Sequence, residues 1–574
     1  MSDRSSAFKV NFDADAPFAP GTGKTSFVRL ARDLRPFYIK IFLFAAVSIL
    51  FAVTFVKIPV YLGQIADIFI SAVISSVIKG KNDFDASALA QIIPPVIAVF
   101  AANTVFAVLK GVLSTDISSG YSDHLRKRVF AKTGTVPAAY FDITSKKYIH
   151  TVSTEMTDAV SQSLNLLLSD FFGSCALIAA VLLTIIRKDP AVGIVSAGFI
   201  ILQPLAGYLL RAPRRRSAET TEQSAPVFDI RELYDDLGTV RLSGRASELS
   251  ENMIATNDRL TGKKQRERFT DFVESSFSSL LTGILLAVTV ILEYGKISSS
   301  AITLGTLLSL LIFLLKLSGP VSHLSSFPRT AGMLLSASDA VFDYLSAPDE
   351  NSGTKTEDLP ADGDIDIRGI TFRYASGGRP VLDGFSSVIG KRGMTVISGA
   401  TGNGKTTLMK LVLGFYKPES GGIFYGGKNI AALDVIRYRS LFSVITQNET
   451  LFQKSIRENI CYPDEKAEEE KLLSAAERAG ALGFIEKLEN GPDTVFSQRP
   501  QNLSDGQVQL ILLARALYHE KKFIVLDEAT SFIDNAGEKE VYEVLKKIAE
   551  SRSVTVITHR CIGRRYADNI IEIE

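Results

Sequence analysis

Residues 394–407 read Met394-Thr395-Val396-Ile397-Ser398-Gly399-Ala400-Thr401-Gly402-Asn403-Gly404-Lys405-Thr406-Thr407. A short β-rich run, Met394–Ser398, enters a loop of the form GxxxxGK[ST], and helix-forming residues, Thr407–Leu413, follow. The chemistry needs each of these residue types. Glycines let backbone N–H groups close around phosphate oxygens, and the start of a helix favours the negative charge. Lys405 has the reach to meet terminal phosphates, and the Thr406 hydroxyl suits a Mg²⁺ ligand. The stretch predicts an α/β domain of the P-loop type. Gly399, Thr401, Gly402, Asn403, Gly404, Lys405, Thr406 and Thr407 form its phosphate cradle.

A second stretch imitates the first. Gly21-Thr22-Gly23-Lys24-Thr25 ends like a phosphate loop, but Phe18 stands where the first glycine belongs, and Asp15–Pro20 is not a buried strand. It reads as tail ahead of the first apolar segment. Downstream of the true loop, Phe523-Ile524-Val525-Leu526 is an apolar strand ending in Asp527-Glu528. Alone, such an ending also suits a structural turn. Behind a phosphate loop it reads as hydrolytic machinery, with Asp527 on the water shell of Mg²⁺ and Glu528 polarising an attacking water. Short β-rich runs alternate with helical patterns from Asp364 onward, as in a largely parallel sheet.

The rest of the chain is of another kind. Its 574 residues are too many for one core. Lys+Arg 63 against Asp+Glu 62 leaves no basic surplus for a nucleic-acid partner. Hydrophobic residues make up 46% and charged ones only 22%, and the mean hydropathy is +0.18, too apolar for a wholly soluble protein. Cys175, Cys461 and Cys561 lie far apart, which excludes a disulfide framework or a zinc site. Met1–Lys24 is polar, so no cleavable secretory signal is expected.

Crossing a bilayer takes about 18 or more apolar residues. Six segments qualify: Ile39–Leu62, Ile92–Val112, Leu164–Ile186, Ala191–Leu210, Phe277–Leu292 and Ile302–Val321. The long connections, Leu113–Ser163 and Arg211–Ser276, carry Arg126-Lys127-Arg128, Lys146-Lys147 and Arg214-Arg215-Arg216, whereas the loops near 187–190 and 293–300 carry few positive charges. Both long connections and both termini are therefore expected in the cytoplasm, with helices continuing past the membrane. Lys79 and Lys81 fall in the first loop. Lys57 and Lys110 lie near span ends and read as interfacial, and so does Lys316, which also has the charge to meet an anionic group. Asn103, Asn165 and Gln203 read as hydrogen bonds joining helices.

Leu503-Ser504-Asp505-Gly506-Gln507 lies between the phosphate loop and the Asp-Glu strand, and Thr558-His559 follows it. In that order the motifs of residues 364–574 resemble the nucleotide-binding domain of ABC transporters. The resemblance implies that Tyr374 stacks on adenine, that Gln447 is the Q-loop glutamine beside Mg²⁺, and that His559 contacts the γ-phosphate. Catalysis then falls to Glu528, His559, Gln447 and Lys405, with metal contacts from Thr406, Gln447 and Asp527. Ser531-Phe532-Ile533-Asp534 resembles the D-loop. Tyr140-Phe141-Asp142 and Gly238-Thr239-Val240-Arg241-Leu242 resemble segments near the coupling helices of exporter-type members, and Ala337–Pro348 resembles the junction ahead of their ATPase domain. Asp505 departs from the usual glycine, and Ser497-Gln498-Arg499-Pro500 from the usual stretch before the signature.

The expected fold class is thus an all-α six-helix transmembrane domain fused to an α/β P-loop ATPase domain. Residues 1–36 form a tail, 37–346 the transmembrane domain, 347–363 a linker and 364–574 the ATPase domain. In this family Ser504, Gly506 and Gln507 serve ATP held by the opposite subunit. The resemblance therefore implies a half-transporter in a bacterial inner membrane, paired with a second half in a homodimer or heterodimer. Its implied cofactors are ATP and Mg²⁺, and its implied activity is export of a lipid, peptide, drug or other amphipathic molecule. An exporter-fold importer and an ATP-gated regulator share these motifs. The sequence leaves the cargo and its direction open.

Overall fold

The computed structural model describes residues 23–79, 86–144, 146–219, 242, 246–299, 301–350, 357–374, 378–400, 402–447, 449–464, 466–496, 503–530 and 535–573. The chain divides into two compact units that interleave along it. One holds 20–132 and 147–346; the other holds 1–19, 133–146 and 347–574.

The first unit is helical. A short amphipathic α1 (Gly23–Asp33) precedes α2 (Tyr38–Lys79) and α3 (Ala86–Thr133). After α4 (Ala138–Ile143), which belongs to the other unit, the chain returns as α5 (Lys146–Thr151), α6 (Thr157–Leu166) and α7 (Gly173–Lys188). These three are joined end to end by π-helical turns at Val152–Met156 and Leu167–Phe172. Then come α8 (Pro190–Glu219), α9 (Ala246–Ser298) and α10 (Leu304–Leu345). Six stretches are long and apolar enough to cross a membrane: Arg35–Val77, Ser87–Thr133, Tyr148–Lys188, Pro190–Gly207, Arg268–Ser298 and Leu304–Leu345.

The helices outrun their apolar runs. The 42 residues of α2 extend about 60 Å, twice the hydrocarbon thickness of a bilayer. Lys79, expected in a loop, is the last residue of that helix. Inside the bundle Leu310, Phe313, Leu314, Leu317 and Val321 form one stripe along α10 at helical spacing and pack with Ile178, Val181 and Ile185 of α7 and Val192 and Phe199 of α8. Other faces leave large apolar side chains such as Ile39 and Phe42 exposed, as a lipid-facing surface requires.

Close approaches and polar links fix the bundle. Gly63 of α2 faces Gly305 of α10 so closely that a Cβ on Gly305 would lie 2.0 Å from the Gly63 carbonyl oxygen. Asp67 seals that crossing: its carboxylate accepts from the Gly305 N–H and the Thr303 hydroxyl, each at 2.7 Å. Asn103 Nδ2 donates to the Phe51 carbonyl at 3.2 Å and to Thr54 Oγ1 at 3.1 Å, the helix-joining bond expected of it. Lys57 and Lys316 are exposed. Half-buried Lys110 donates from Nζ to the Ser169 carbonyl at 3.2 Å, at the second π-helical turn, so its ammonium is held between helices. The wider turn presents a carbonyl that a regular α-helix would keep to itself.

In the second unit, β1 (Ile365–Phe372), β2 (Leu382–Ile389), β4 (Ser420–Tyr425) and β5 (Lys428–Asn429) form an antiparallel sheet of order β2-β1-β4-β5. A parallel sheet of order β6-β7-β8-β3-β9 comprises β3 (Gly393–Ser398), β6 (Phe442–Ile445), β7 (Phe523–Asp527), β8 (Ser553–Ile557) and β9 (Asn569–Glu572). Every residue of β7 and β8 is buried, which explains their unbroken apolar runs. Helices α11 (Lys405–Val412), α12 (Ile456–Cys461), α13 (Glu469–Arg478), α14 (Asp505–Tyr518) and α15 (Asn535–Ala549) complete the unit.

The short α4 is built into this unit. Ala139 is 3% exposed within the same apolar cluster as Leu413, Tyr438 and Phe442. The strand leading into α4 is tied down as well. Thr135 accepts the Glu350 N–H at its carbonyl (2.8 Å) and donates its hydroxyl to Asp349 (2.5 Å), while Glu350 forms a two-point ion pair with Arg439. Tyr140 and Phe141, singled out in the sequence, lie on this helix; Gly238–Arg241 lie outside the described residues.

Candidate functional site

The parallel sheet gathers the site. The loop 399–404 leaves β3, Asp527 ends β7 with Glu528 next, Thr558-His559 follows β8, and Gln447 lies just past β6. All four positions fall at the carboxyl ends of parallel strands, where open α/β sheets hold their ligands.

Two glycines of the loop answer to geometry. Gly404 has φ of 93° and sits against Val381, whose Cγ1 would lie 2.8 Å from a Cβ there. At Gly399 a Cβ would lie 2.3 Å from the Ile573 carbonyl oxygen. Lys405, only 7% exposed, donates from Nζ to the carbonyls of Gly399 (2.8 Å) and Ala400 (2.9 Å), so the ammonium braces the loop from within. Asn403 adds a bond from Nδ2 to the Ile573 carbonyl at 3.3 Å. Thr406 Oγ1 donates to Asp527 Oδ2 at 3.0 Å, joining the loop to β7. Burial holds the Asp527 carboxyl above the usual carboxylate range, the neighbouring Glu528 charge pushes the same way, and the Thr406 bond opposes both. Thr401 lies outside the described residues.

Glu528 takes a left-handed backbone conformation, φ 53°, which is strained for a non-glycine residue and clusters at functional sites. Its N–H donates to the Ile557 carbonyl at 3.0 Å, fixing it beside the end of β8. The carboxylate is shared: Gln447 Nε2 donates to Oε2 at 2.8 Å, and His559 Nδ1 lies 3.4 Å from Oε1. Three residues from three separate segments thus converge on one carboxylate group.

Tyr374 anchors beside the phosphate loop through its hydroxyl, 2.8 Å from Thr407 Oγ1. Its ring packs edge-on against Phe372 and Tyr416, with centroids 5.1 and 5.5 Å away. Ser504 and Gln507 close a capping box at the start of α14: the Gln507 N–H donates to Ser504 Oγ (3.3 Å) and the Ser504 N–H to Gln507 Oε1 (2.9 Å). Asp505 and Gly506 stand in the first turn, where a carboxylate complements the helix dipole. That placement gives Asp505 a local reason to be there. Residues 497–500 and 531–534 lie outside the described residues.

Two buried clusters support the site without belonging to any motif. Arg515 of α14 donates from Nη1 to Glu449 at 2.8 Å and from Nε and Nη2 to the carbonyl and side chain of Asn459, at 2.7 and 2.8 Å. It thereby ties the segment just after Gln447 to the signature helix. Burial lowers the Arg515 pKa, against the pull of Glu449. Its sequence signal is a lone charge inside the apolar run Ile511–Leu517. Glu538 of α15, 1% exposed, accepts from Thr530 Oγ1 at 2.9 Å and from Arg560 Nη1 at 2.8 Å. Thr530 is two residues past Glu528, and Arg560 follows His559. No sequence pattern distinguishes this glutamate.

Known proteins share both parts of the chain. The ABC transporter family profile matches residues 382–531, and that of the ABC transporter transmembrane region matches residues 39–321. An ATP-dependent lipid A-core flippase of Albidiferax ferrireducens is 25% identical, over 96% of this chain and 94% of its own. One of Chromohalobacter salexigens is 28% identical over 83% of each. Among solved structures, a bacterial Atm1-family ABC exporter with ATP bound superposes with a TM-score of 0.79 over 94% of each chain at 19% identity, a likeness of fold. With the membrane region and the ATP-hydrolysing domain continuous in one chain, as in those full-length relatives, the protein belongs to the ABC transporter family, as an exporter-type half-transporter.

Proposed function

We propose that two copies of this chain, or this chain and a similar partner, enclose two ATP molecules between their ATPase domains and drive an amphipathic cargo out of the cytoplasm. Residues 364–574 serve as the ATPase domain, 37–346 as the transmembrane domain, 347–363 as the link and 1–36 as a cytoplasmic tail. The names of the flippase relatives favour an amphipathic cargo, and their bacterial sources favour an inner membrane.

The observation that carries this reading is the Glu528 carboxylate held between Gln447 and His559. Two donors orient it, so it can accept a proton from water in line with a terminal phosphate. Lys405 exchanges its loop carbonyls for phosphate oxygens, Tyr374 offers its ring to adenine, and the backbone N–H groups of 399–407 close on the phosphates. Ser504, Gly506 and Gln507 present the start of α14 to nucleotide on the partner. Thr406, Asp527 and Gln447 supply hydroxyl, carboxylate and amide oxygens, a hard-donor set that suits Mg²⁺. When bound, that ion neutralises phosphate charge. Closure of the paired domains would draw in α4, embedded as it is in the ATPase unit, and so pull on the membrane helices.

The test is Mg-ATP hydrolysis by the purified chain in lipid, beside the Glu528→Gln variant. The expected result is turnover in the parent and a loss of about a thousandfold or more in the variant, with nucleotide binding retained. Equal turnover in both would reject Glu528 as the base. Absence of turnover in folded, ATP-binding parent protein would point to an obligatory partner chain or to ATP-gated regulation.

A further inference from the structure

Between α8, α9 and α10, at their ends remote from the short connections near 189 and 300, lies a cavity of about 650 Å³. It interrupts the apolar pattern of the spans. Asp271, Glu274, Ser275, Ser278, Ser279 and Thr282 follow one another at helical spacing along α9, and Ser318 and Ser322 face them from α10. Gly283 and Gly319 complete the wall, and a Cβ built on either meets nothing within 4 Å, so the space beside them is open.

The direction of the hydrogen bonds gives this wall a definite character. Ser275 and Ser279 donate their hydroxyl protons to the carbonyls of Phe272 and Ser275, both at 2.9 Å, and Thr282 donates to Ser278 at 2.8 Å. Ser318 and Ser322 do the same toward Leu315 (3.0 Å) and Gly319 (2.6 Å). Each hydroxyl therefore turns its proton into its own helix and keeps its lone pairs for a neighbour. Gln203 of α8 repeats the pattern. Its side chain is buried at 2% exposure, Nε2 donates to Ser278 Oγ at 2.6 Å, and Oε1 has no hydrogen-bond partner among the described residues. A buried acceptor left unmatched at a cavity wall costs free energy unless a ligand supplies a proton. The charged groups lean the same way: two carboxylates, Asp271 and Glu274, stand against one guanidinium, Arg329, which lies 3.7 Å from Asp271.

We propose that this cavity receives the polar head of the cargo, and that the head is rich in hydrogen-bond donors and positively charged, an ammonium or amino-substituted group rather than a phosphate or carboxylate. This rests on the reading of the chain as an exporter of amphipathic molecules and narrows its cargo. A wall of acceptors selects for N–H donors and leaves an anionic head both unpaired and repelled.

Three probes with the same tail separate donors from charge: dodecylammonium, with three N–H groups; dodecyltrimethylammonium, with the same charge and none; and dodecanesulfonate. Each is titrated below its micellar concentration into the full chain in lipid nanodiscs. The readouts are the unfolding midpoint without nucleotide and the ATPase rate with it. Dodecylammonium is expected to act at about tenfold lower concentration than dodecyltrimethylammonium, with no saturable response to the sulfonate. Gln203→Leu should raise the half-maximal dodecylammonium concentration several-fold and leave dodecyltrimethylammonium unchanged. Should that variant fail to fold, Ser322→Ala, at an exposed position, makes the same comparison, and Gly319→Leu fills the open space. Equal potency of the two cations, preference for the sulfonate, or a folded Gln203→Leu or Ser322→Ala protein that responds like the parent would overturn the proposal. Because the unfolding midpoint is read without nucleotide, head-group binding is judged independently of the ATPase test with Glu528→Gln, whose failure would count against the transport reading instead.

Discussion

The catalytic glutamate sits in a conformation that costs roughly 1–3 kcal/mol for a residue with a side chain, so its surroundings must hold it there. Part of that support is Glu538, which joins the segment after Glu528 to the segment carrying His559 through Thr530 and Arg560. Replacing it by Ala leaves a buried guanidinium and a buried hydroxyl without their acceptor, a loss of about 2 kcal/mol. Glu538→Ala is expected to lower the unfolding midpoint by several degrees. Because Glu538 positions residues that act on the transition state, kcat should fall about tenfold while KM for ATP changes less than threefold. A purely structural role would move the midpoint alone, and Glu538→Gln should recover part of both. The contrast with Lys405, Asp527 and Glu528 shows what a sequence can disclose. Phosphate chemistry demands those residue types at fixed spacings, so they are visible in one dimension. Glu538 and Arg515 act across segments joined only by folding, and nothing in their neighbours' identity marks the meeting.

Hydropathy located the six membrane helices and not their ends. An apolar run reports where lipid is, whereas a helix continues wherever its own hydrogen bonds and a neighbour support it, so α2 passes its apolar run and reaches Lys79. The π-helical turns of the third crossing were equally invisible, since they arise from register between neighbouring helices rather than from composition. The crossing of α2 with α10 tests this packing. Gly305→Val would place a Cβ 2.0 Å from the Gly63 carbonyl oxygen and 2.5 Å from Asp67 Cγ, forcing the helices apart and breaking the cap that Asp67 provides. That overpacking should cost about 3 kcal/mol or more and appear as aggregation on gel filtration. Gly111→Ala, where a Cβ meets nothing within 4 Å, should match or slightly exceed the parent's unfolding midpoint.

For the whole molecule the open question is completeness. Phosphate loop and signature occur once each in the chain, and the hydrogen bonds of Ser504 and Gln507 stay within the first turn of α14. If two chains share each ATP, Lys405→Ala and Ser504→Arg should each be inactive alone, yet regain turnover when co-reconstituted, because the mixed pair contains one site with both elements intact. Recovery no greater than the sum of the separate proteins would mean that each chain completes its own site. The membrane half and the ATPase half were legible from composition and motif, but their interleaving was not: nothing in residues 133–146 announces that they fold with residues from 347 onward. During synthesis α4 leaves the ribosome roughly two hundred residues before the strands and helices that will surround Ala139. At about 5–20 residues per second that interval is tens of seconds. For that time the membrane helices on either side are already made, and the small apolar face of α4 waits in the cytosol for its socket. A slow or stalled ribosome would therefore burden this half-transporter most between the end of α4 and the completion of β8, before any nucleotide can bind.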